Sequence, residues 1–212
     1  MTPKSILQIL ALAWAALFFV VPAHAKTSAD TTNVTPEFVC RVKDAIRFRS
    51  PAWPDWYCLR VTHAVERAAT TTGQRPDVLM SIAVVESDLR SGVEHWYSVD
   101  GFPRPGACGD LGIMGIRCCL DDDWLCGNGL VKGWKYPAVM RLENNIMLGA
   151  KILAAKPKLN DYNGGKGYAE KVYAVAGALA GVRVKIGPGK GAKRIRKLVD
   201  QILHALGFER TT

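Results

Sequence analysis

Apolar residues recur at helical spacing along most of the chain. Phe38, Val39, Val42 and Ile46 share one face, and Thr35-Pro36-Glu37 supplies a capping hydroxyl, a first-turn proline and an acid beside it. A second helix is expected from about residue 57 to 72, stopped by Gly73. A third starts near Pro76-Asp77 and is apolar all round through Val78, Leu79, Met80, Ile82, Ala83, Val84 and Val85, as a buried central helix is. From residue 91 to about 137 the periodicity lapses into Gly, Pro, Asp, Trp and four of the cysteines; so long an irregular stretch in a compact domain is functional or clamped. Helical patterning returns over 141–155 and 168–180. Residues 181–191 read as a Gly/Pro/Lys hinge. The segment 193–206 puts Ile195, Leu198, Val199, Ile202, Leu203 and Leu206 on one face. No repeat and no β-hairpin stands out. The pattern predicts an all-α or predominantly α fold, a single helical domain with a cysteine-clamped loop region.

The first 25 residues follow another pattern. Lys4 precedes an apolar run over 6–21 broken only by Gln8, and Pro22-Ala23-His24-Ala25 ends it with small residues around one larger one. This is the layout of a secretory signal cleaved after Ala25. The run is a little short for ~30 Å of hydrocarbon, and no second run approaches that length. A periplasmic or secreted, soluble mature protein is therefore expected. Composition fits: 49% apolar residues argue against disorder, and 20 Gly with 11 Pro in 212 residues argue against a collagenous or low-complexity chain. Export also turns Cys40, Cys58, Cys108, Cys118, Cys119 and Cys126 towards disulfides. Their clustering suggests one bridge between Cys40 and Cys58 and two more involving the loop from 108 to 126. A zinc site is the rival, but no Cys-x-x-Cys pair or nearby His offers tetrahedral spacing.

Three segments carry candidate chemistry. Glu86 ends the apolar third helix, where desolvation and the negative helix end both disfavour its ionised form. A carboxylic acid that keeps its proton is what acid-catalysed glycosidic cleavage requires; a surface Glu in a last helical turn is the bland alternative. Gly109-Asp110-Leu111-Gly112-Ile113-Met114-Gly115-Ile116 has glycines that admit close backbone approach. Asp161-Tyr162-Asn163-Gly164-Gly165 is a polar turn with a phenol.

In this order, the segments resemble the lytic transglycosylase family, the soluble-lytic-transglycosylase domain of lysozyme-like fold. The family's helix ending Glu-Ser reads Glu86-Ser87 here, its Gly-Leu-Met-Gln-like turn reads Gly112-Ile113-Met114-Gly115, and its Asn-Ile-x-x-Gly helix reads Asn145-Ile146-Met147-Leu148-Gly149. Its Ala-Tyr-Asn-Gly-Gly turn reads Asp161-Tyr162-Asn163-Gly164-Gly165, followed by Tyr168-Ala169-Glu170-Lys171-Val172. The resemblance spans residues 76–179. Gly115 in place of Gln, Asp161 in place of Ala, an insertion over 92–109 and the cysteine-rich loop after Ile116 depart from the pattern. The resemblance implies a lysozyme-like α+β domain over 26–180, with 181–212 as a basic hinge and C-terminal amphipathic helix. It also implies cleavage of the β-1,4 bond from N-acetylmuramic acid to N-acetylglucosamine in peptidoglycan, with 1,6-anhydro ring closure and no cofactor. By the same resemblance Glu86 acts as acid then base, Tyr162 lies near it and orients the acid or the acetamido group through its hydroxyl, and Ser87, Met114, Asn163 and Tyr168 are substrate-binding candidates.

Other readings stand beside this one. Asp110 is expected to be a turn residue bonding its own backbone; as a second carboxylate about 6.5–9.5 Å from Glu86 it would instead make an inverting hydrolase. Glu94 with His95 and the run Asp121-Asp122-Asp123 are expected to be solvated, and His63 a core or surface residue; the three acids lack calcium-loop spacing. Trp96, Tyr97, Trp124 and Trp134 are either sugar-stacking platforms or loop anchors. Arg183, Lys185, Lys190, Lys193, Arg194, Arg196 and Lys197 form a basic tail in a chain of net charge +9. That tail suits a solvated face or an anionic envelope surface, and no nucleic-acid recognition motif accompanies it. Outside enzymology, a silent glycan-binding module and an assembly component of an envelope-spanning machine remain as classes.

Overall fold

The computed structural model describes residues 34–46, 55–156, 158–165, 167–189 and 191–208, and the expected leader and Lys190 lie outside them. In chain order the elements are α1 (Pro36–Ile46), α2 (Asp55–Thr72), α3 (Pro76–Ser87), β1 (Glu94–Trp96), β2 (Cys108–Leu111), β3 (Ile116–Cys119), a 3-10 turn (Gly129–Val131), α4 (Tyr136–Val139), α5 (Leu142–Ala154), α6 (Asn160–Asn163), α7 (Tyr168–Leu179) and α8 (Ala192–Ala205). The fold is mostly helical with one small sheet.

The apolar pattern of α3 has the expected consequence. Leu79, Met80, Ile82, Ala83 and Val84 are fully buried, and the helix packs against α7, α2 and α5. The Thr35 hydroxyl accepts the Phe38 N–H at 3.2 Å and caps α1. The last helix is an integral part of the domain: α8 buries Ile195, Leu198, Val199, Ile202 and Leu203 against α1 and α7. Among the described residues no helix is long and apolar enough to cross a membrane.

The region 91–137 corrects the expectation that no hairpin forms. Its strands β1, β2 and β3 pair antiparallel in that order, with Trp96 opposite Gly109 and Cys108 opposite Cys119. A Cβ on Gly109 would stand 2.8 Å from the Trp96 ring, so the glycine admits the indole. The disulfides run Cys40–Cys58, Cys108–Cys119 and Cys118–Cys126. The first joins α1 to α2, the second crosses β2 and β3, and the third ties β3 to the loop beyond. Three bridges are consistent with an oxidising, extracytoplasmic compartment.

Candidate active site

Glu86 sits in the last turn of α3, and two unusual residues fix the exit. Asp88 (φ 53°) and Leu89 (φ 63°) are both left-handed, and their N–H groups donate to Val84 O and Ala83 O. Leu89 is buried, and the Tyr57 hydroxyl donates to its carbonyl at 2.9 Å. Arg194, in the first turn of α8, donates to the Asp88 carboxylate at 2.6 Å. The end of the central helix is thus tied from both α2 and α8.

Opposite Glu86 lies the turn between β2 and β3. Asn145, fully buried in α5, knits it: its Nδ2 donates to Leu111 O and Val139 O at 2.9 Å, and its Oδ1 accepts the Met114 N–H at 2.8 Å. Gly112 has φ +70°, and a Cβ there would strike the Asn145 amide. Gly115 has φ +58°, and a Cβ there would stand 2.7 Å from Glu86 Oε2. The carboxyl therefore lies directly on the turn backbone.

Ser87 and Met114, expected as substrate-binding candidates, are buried. The Ser87 hydroxyl lies 2.9 Å from both Ala83 O and Ile113 O and clips α3 to the turn. Met114 is fully buried and packs closely on Gly149 of α5. Both side chains hold the turn.

Tyr162 bonds the turn rather than Glu86. Its hydroxyl donates to Met114 O at 2.9 Å, so the phenol braces the turn while its ring lines a cleft. The partner of Glu86 is the neighbouring amide: Asn163 Nδ2 donates to Glu86 Oε1 at 2.8 Å. Tyr168 stacks on Tyr162 with centroids 6.1 Å apart. Its buried hydroxyl faces the Glu86 carboxyl without reaching normal hydrogen-bond geometry. Geometry decides here, and it leaves that hydroxyl unsatisfied.

Desolvation is the first cause that raises the Glu86 pKa above its ordinary 4.5, and the Asp110 charge adds to it. The nearby Tyr168 hydroxyl, the hydrogen bond from Asn163 and the charge of Arg194 oppose the rise without cancelling it. The second upward influence is thus a carboxylate across the turn, where the sequence suggested the helix end. Burial, then the Glu86 charge, push the Tyr162 and Tyr168 phenols far above 10, so both stay protonated.

A cleft of about 450 Å³ runs between β3 and α6, lined by Asp110, Arg117, Leu130, Ile152, Tyr162 and Asn163 among others. Glu86 meets it through the two residues it touches, Gly115 and Asn163, and itself lines a second pocket of about 190 Å³ on the α8 side. Asn163 borders both.

Asp110 is a strand residue, which corrects the turn assignment. Its Oδ1 pairs with Arg117 Nε at 2.8 Å, its Oδ2 accepts the Tyr97 hydroxyl, and the Arg117 guanidinium lies 4.5 Å from the Tyr97 ring centroid. Glu94 is on β1 and accepts from Trp96 Nε1 and the Tyr136 hydroxyl, so it is tethered as well as exposed. Asp121 Oδ1 accepts the N–H groups of Asp123 and Leu125 in a local turn, and His63 is exposed on α2. Trp96 is buried, whereas Tyr97, Trp124 and Trp134 are exposed. Among the described residues no cluster of His, Cys, Asp and Glu could hold a metal ion.

Comparison with known proteins finds no matching family model, curated protein or solved structure. Sequence reasoning missed Asn145 as the residue that builds the turn, Arg194 as a neighbour of Glu86, and the Asp110–Arg117–Tyr97 group. The available signal for the first was Asn145 directly before the apolar run Ile146-Met147-Leu148 of α5.

Proposed function

We propose that this is an exported peptidoglycan lytic transglycosylase with a lysozyme-like arrangement, a helix-borne acid facing a small sheet across a cleft. The observation that carries this reading is the environment of Glu86: its pKa is raised by desolvation, one oxygen is held by a neutral amide, and it lies beside an open cleft.

Protonated Glu86 gives its proton to the glycosidic oxygen as the bond from that oxygen to C1 of N-acetylmuramic acid breaks. The oxygen of the sugar's own 2-acetamido group closes on C1 and carries the developing charge. Ionised Glu86 then takes the proton of the 6-hydroxyl, O6 bonds to C1, and the acetamido oxygen leaves. Glu86 ends protonated again, water is neither consumed nor released, and no second carboxylate takes part, which departs from the two-carboxylate pattern. Asn163 orients the acid, and the Tyr162 ring walls the cleft. The inverting-hydrolase alternative needs Asp110 as a free base, yet both its oxygens are engaged by Arg117 and Tyr97.

The test is digestion of purified peptidoglycan with the mature protein, with Glu86→Gln and with Asp110→Asn, products identified by mass. Anhydro-muropeptides from the parent and from Asp110→Asn, and none from Glu86→Gln, are expected. Hydrated reducing ends that vanish with Asp110→Asn would replace the transglycosylase with a hydrolase. No product at any pH from 4 to 8 would leave the glycan-binding or assembly classes.

A further inference from the structure

The basic tail has no part in the reaction as described, yet α8 brings one of its cations to Glu86. The pocket of about 190 Å³ beside that acid is lined by Val85, Glu86, Asn163, Tyr168, Lys171 and Arg194, with Gly191 at its edge. Lys171 comes from α7, and its ammonium lies 3.6 Å from where a Cβ on Gly191 would stand. Among the described residues the Lys171 side chain forms no ion pair or hydrogen bond. Arg194 uses one guanidinium nitrogen on Asp88 and leaves its other donors uncommitted. Tyr168, buried in the wall, has an unsatisfied hydroxyl.

We propose that this pocket is a carboxylate subsite, in which Lys171 and Arg194 receive an acidic substituent of the glycan next to the bond that Glu86 cleaves. The inference rests on the reading of Glu86 as a peptidoglycan-cleaving acid.

Charge selects the ligand class. Lys171 and Arg194 bring two positive charges, Asp88 offsets one, and Glu86 in the acid form that the proposed reaction requires adds none. The remaining single charge matches a carboxylate monoanion. A guanidinium with free N–H groups and a mobile ammonium give charge-assisted bonds to such a group. Continuity selects the position: Asn163 borders both this pocket and the larger cleft, so a strand lying along the cleft passes over Glu86 into the cationic end. Peptidoglycan offers carboxylates there of two origins, the lactyl ether of the muramic sugar and the peptide stem built on it. An occupied subsite also favours the acid form of Glu86, since a like charge beside a carboxylate opposes its ionisation. The groups facing Glu86 are then Asp110 from β2, Asn163 and Tyr162 from α6, Tyr168 and Lys171 from α7, and Arg194 from α8.

The experiment measures co-sedimentation with insoluble peptidoglycan in a Glu86→Gln background, which separates binding from turnover. Lys171→Gln alone, which breaks no described contact, and Lys171→Gln with Arg194→Gln are compared with Lys193→Gln/Lys197→Gln, exposed residues of the same helix outside the pocket. Thermal melting checks folding. The pocket pair is expected to lose about tenfold in affinity, as the loss of a charge-assisted bond does, and Lys171→Gln alone several-fold, while the outside pair loses less than about twofold. The difference is expected to disappear on peptidoglycan whose carboxyls have been amidated. Retention of the effect after enzymatic removal of the stems assigns the lactyl carboxylate, and its loss assigns the stem. Equal weakening by the pocket and outside pairs, or a tenfold loss that persists on amidated wall, overturns the subsite alone. Failure of the Glu86→Gln parent to bind any peptidoglycan overturns the functional reading and the subsite with it.

Discussion

Gly115 is the position where one added carbon tests the site most sharply. Alanine at φ +58° costs about 1 kcal/mol relative to glycine from backbone strain. Its Cβ would meet Glu86 Oε2 at 2.7 Å, Cδ at 3.1 Å and Cβ at 3.3 Å, so the carboxyl has to withdraw. Withdrawal breaks the 2.8 Å bond from Asn163, which adds about 1 kcal/mol. Gly115→Ala is therefore expected to lose about 2 kcal/mol in urea denaturation, a folded protein with a displaced acid. Displacement of a reacting group by an ångström costs about a hundredfold in turnover, which muropeptide release measures directly. A variant that keeps full turnover and loses under about 0.5 kcal/mol would refute the contact between the turn and the acid.

Asn145→Ala strands the Met114 N–H and two carbonyls in the core, and a loss of about 4 kcal/mol is expected in the same denaturation; under about 1 kcal/mol would contradict its knitting role. Glu86→Gln is expected to be more stable than the parent at pH 7. Folding raises the Glu86 pKa above 4.5, so the folded state binds this proton more tightly, and the acid's contribution is intact below 4.5 and is lost as pH rises through the folded value. The stability gap therefore closes on acidification below 4.5, and a gap that widens there would reverse the sign. Asn163→Ala removes a bond that favours the carboxylate, so the alkaline limb of kcat/KM moves to higher pH while kcat falls; an unmoved limb would detach Asn163 from the acid.

How much of this was legible in the sequence depended on length and on partners. Helices of eleven or more residues announced themselves by periodicity and by caps such as Thr35-Pro36 and Gly73. Strands of three and four residues are too short for alternation to register, and here they pair through Gly109 under Trp96 and through a cysteine pair. The cysteine clamp was readable from clustering, but the sheet it crosses was not. Glu86 was legible because an acid at the end of an apolar helix is costly. Its neighbours were not, because which of Tyr162 and Asn163 reaches it depends on how a four-residue helix turns, and Arg194 arrives from more than a hundred residues away.

The proposed reaction requires Glu86 to hold its proton beyond the ordinary range of a glutamic acid. Carboxyl 13C chemical shifts of the protein, with Glu86→Gln to assign the resonance, measure that proton directly across pH 3–9. The account predicts a Glu86 midpoint clearly above 4.5, moved upward again in Asn163→Ala. A midpoint at or below 4.5, or one that Asn163→Ala leaves in place, would contradict it.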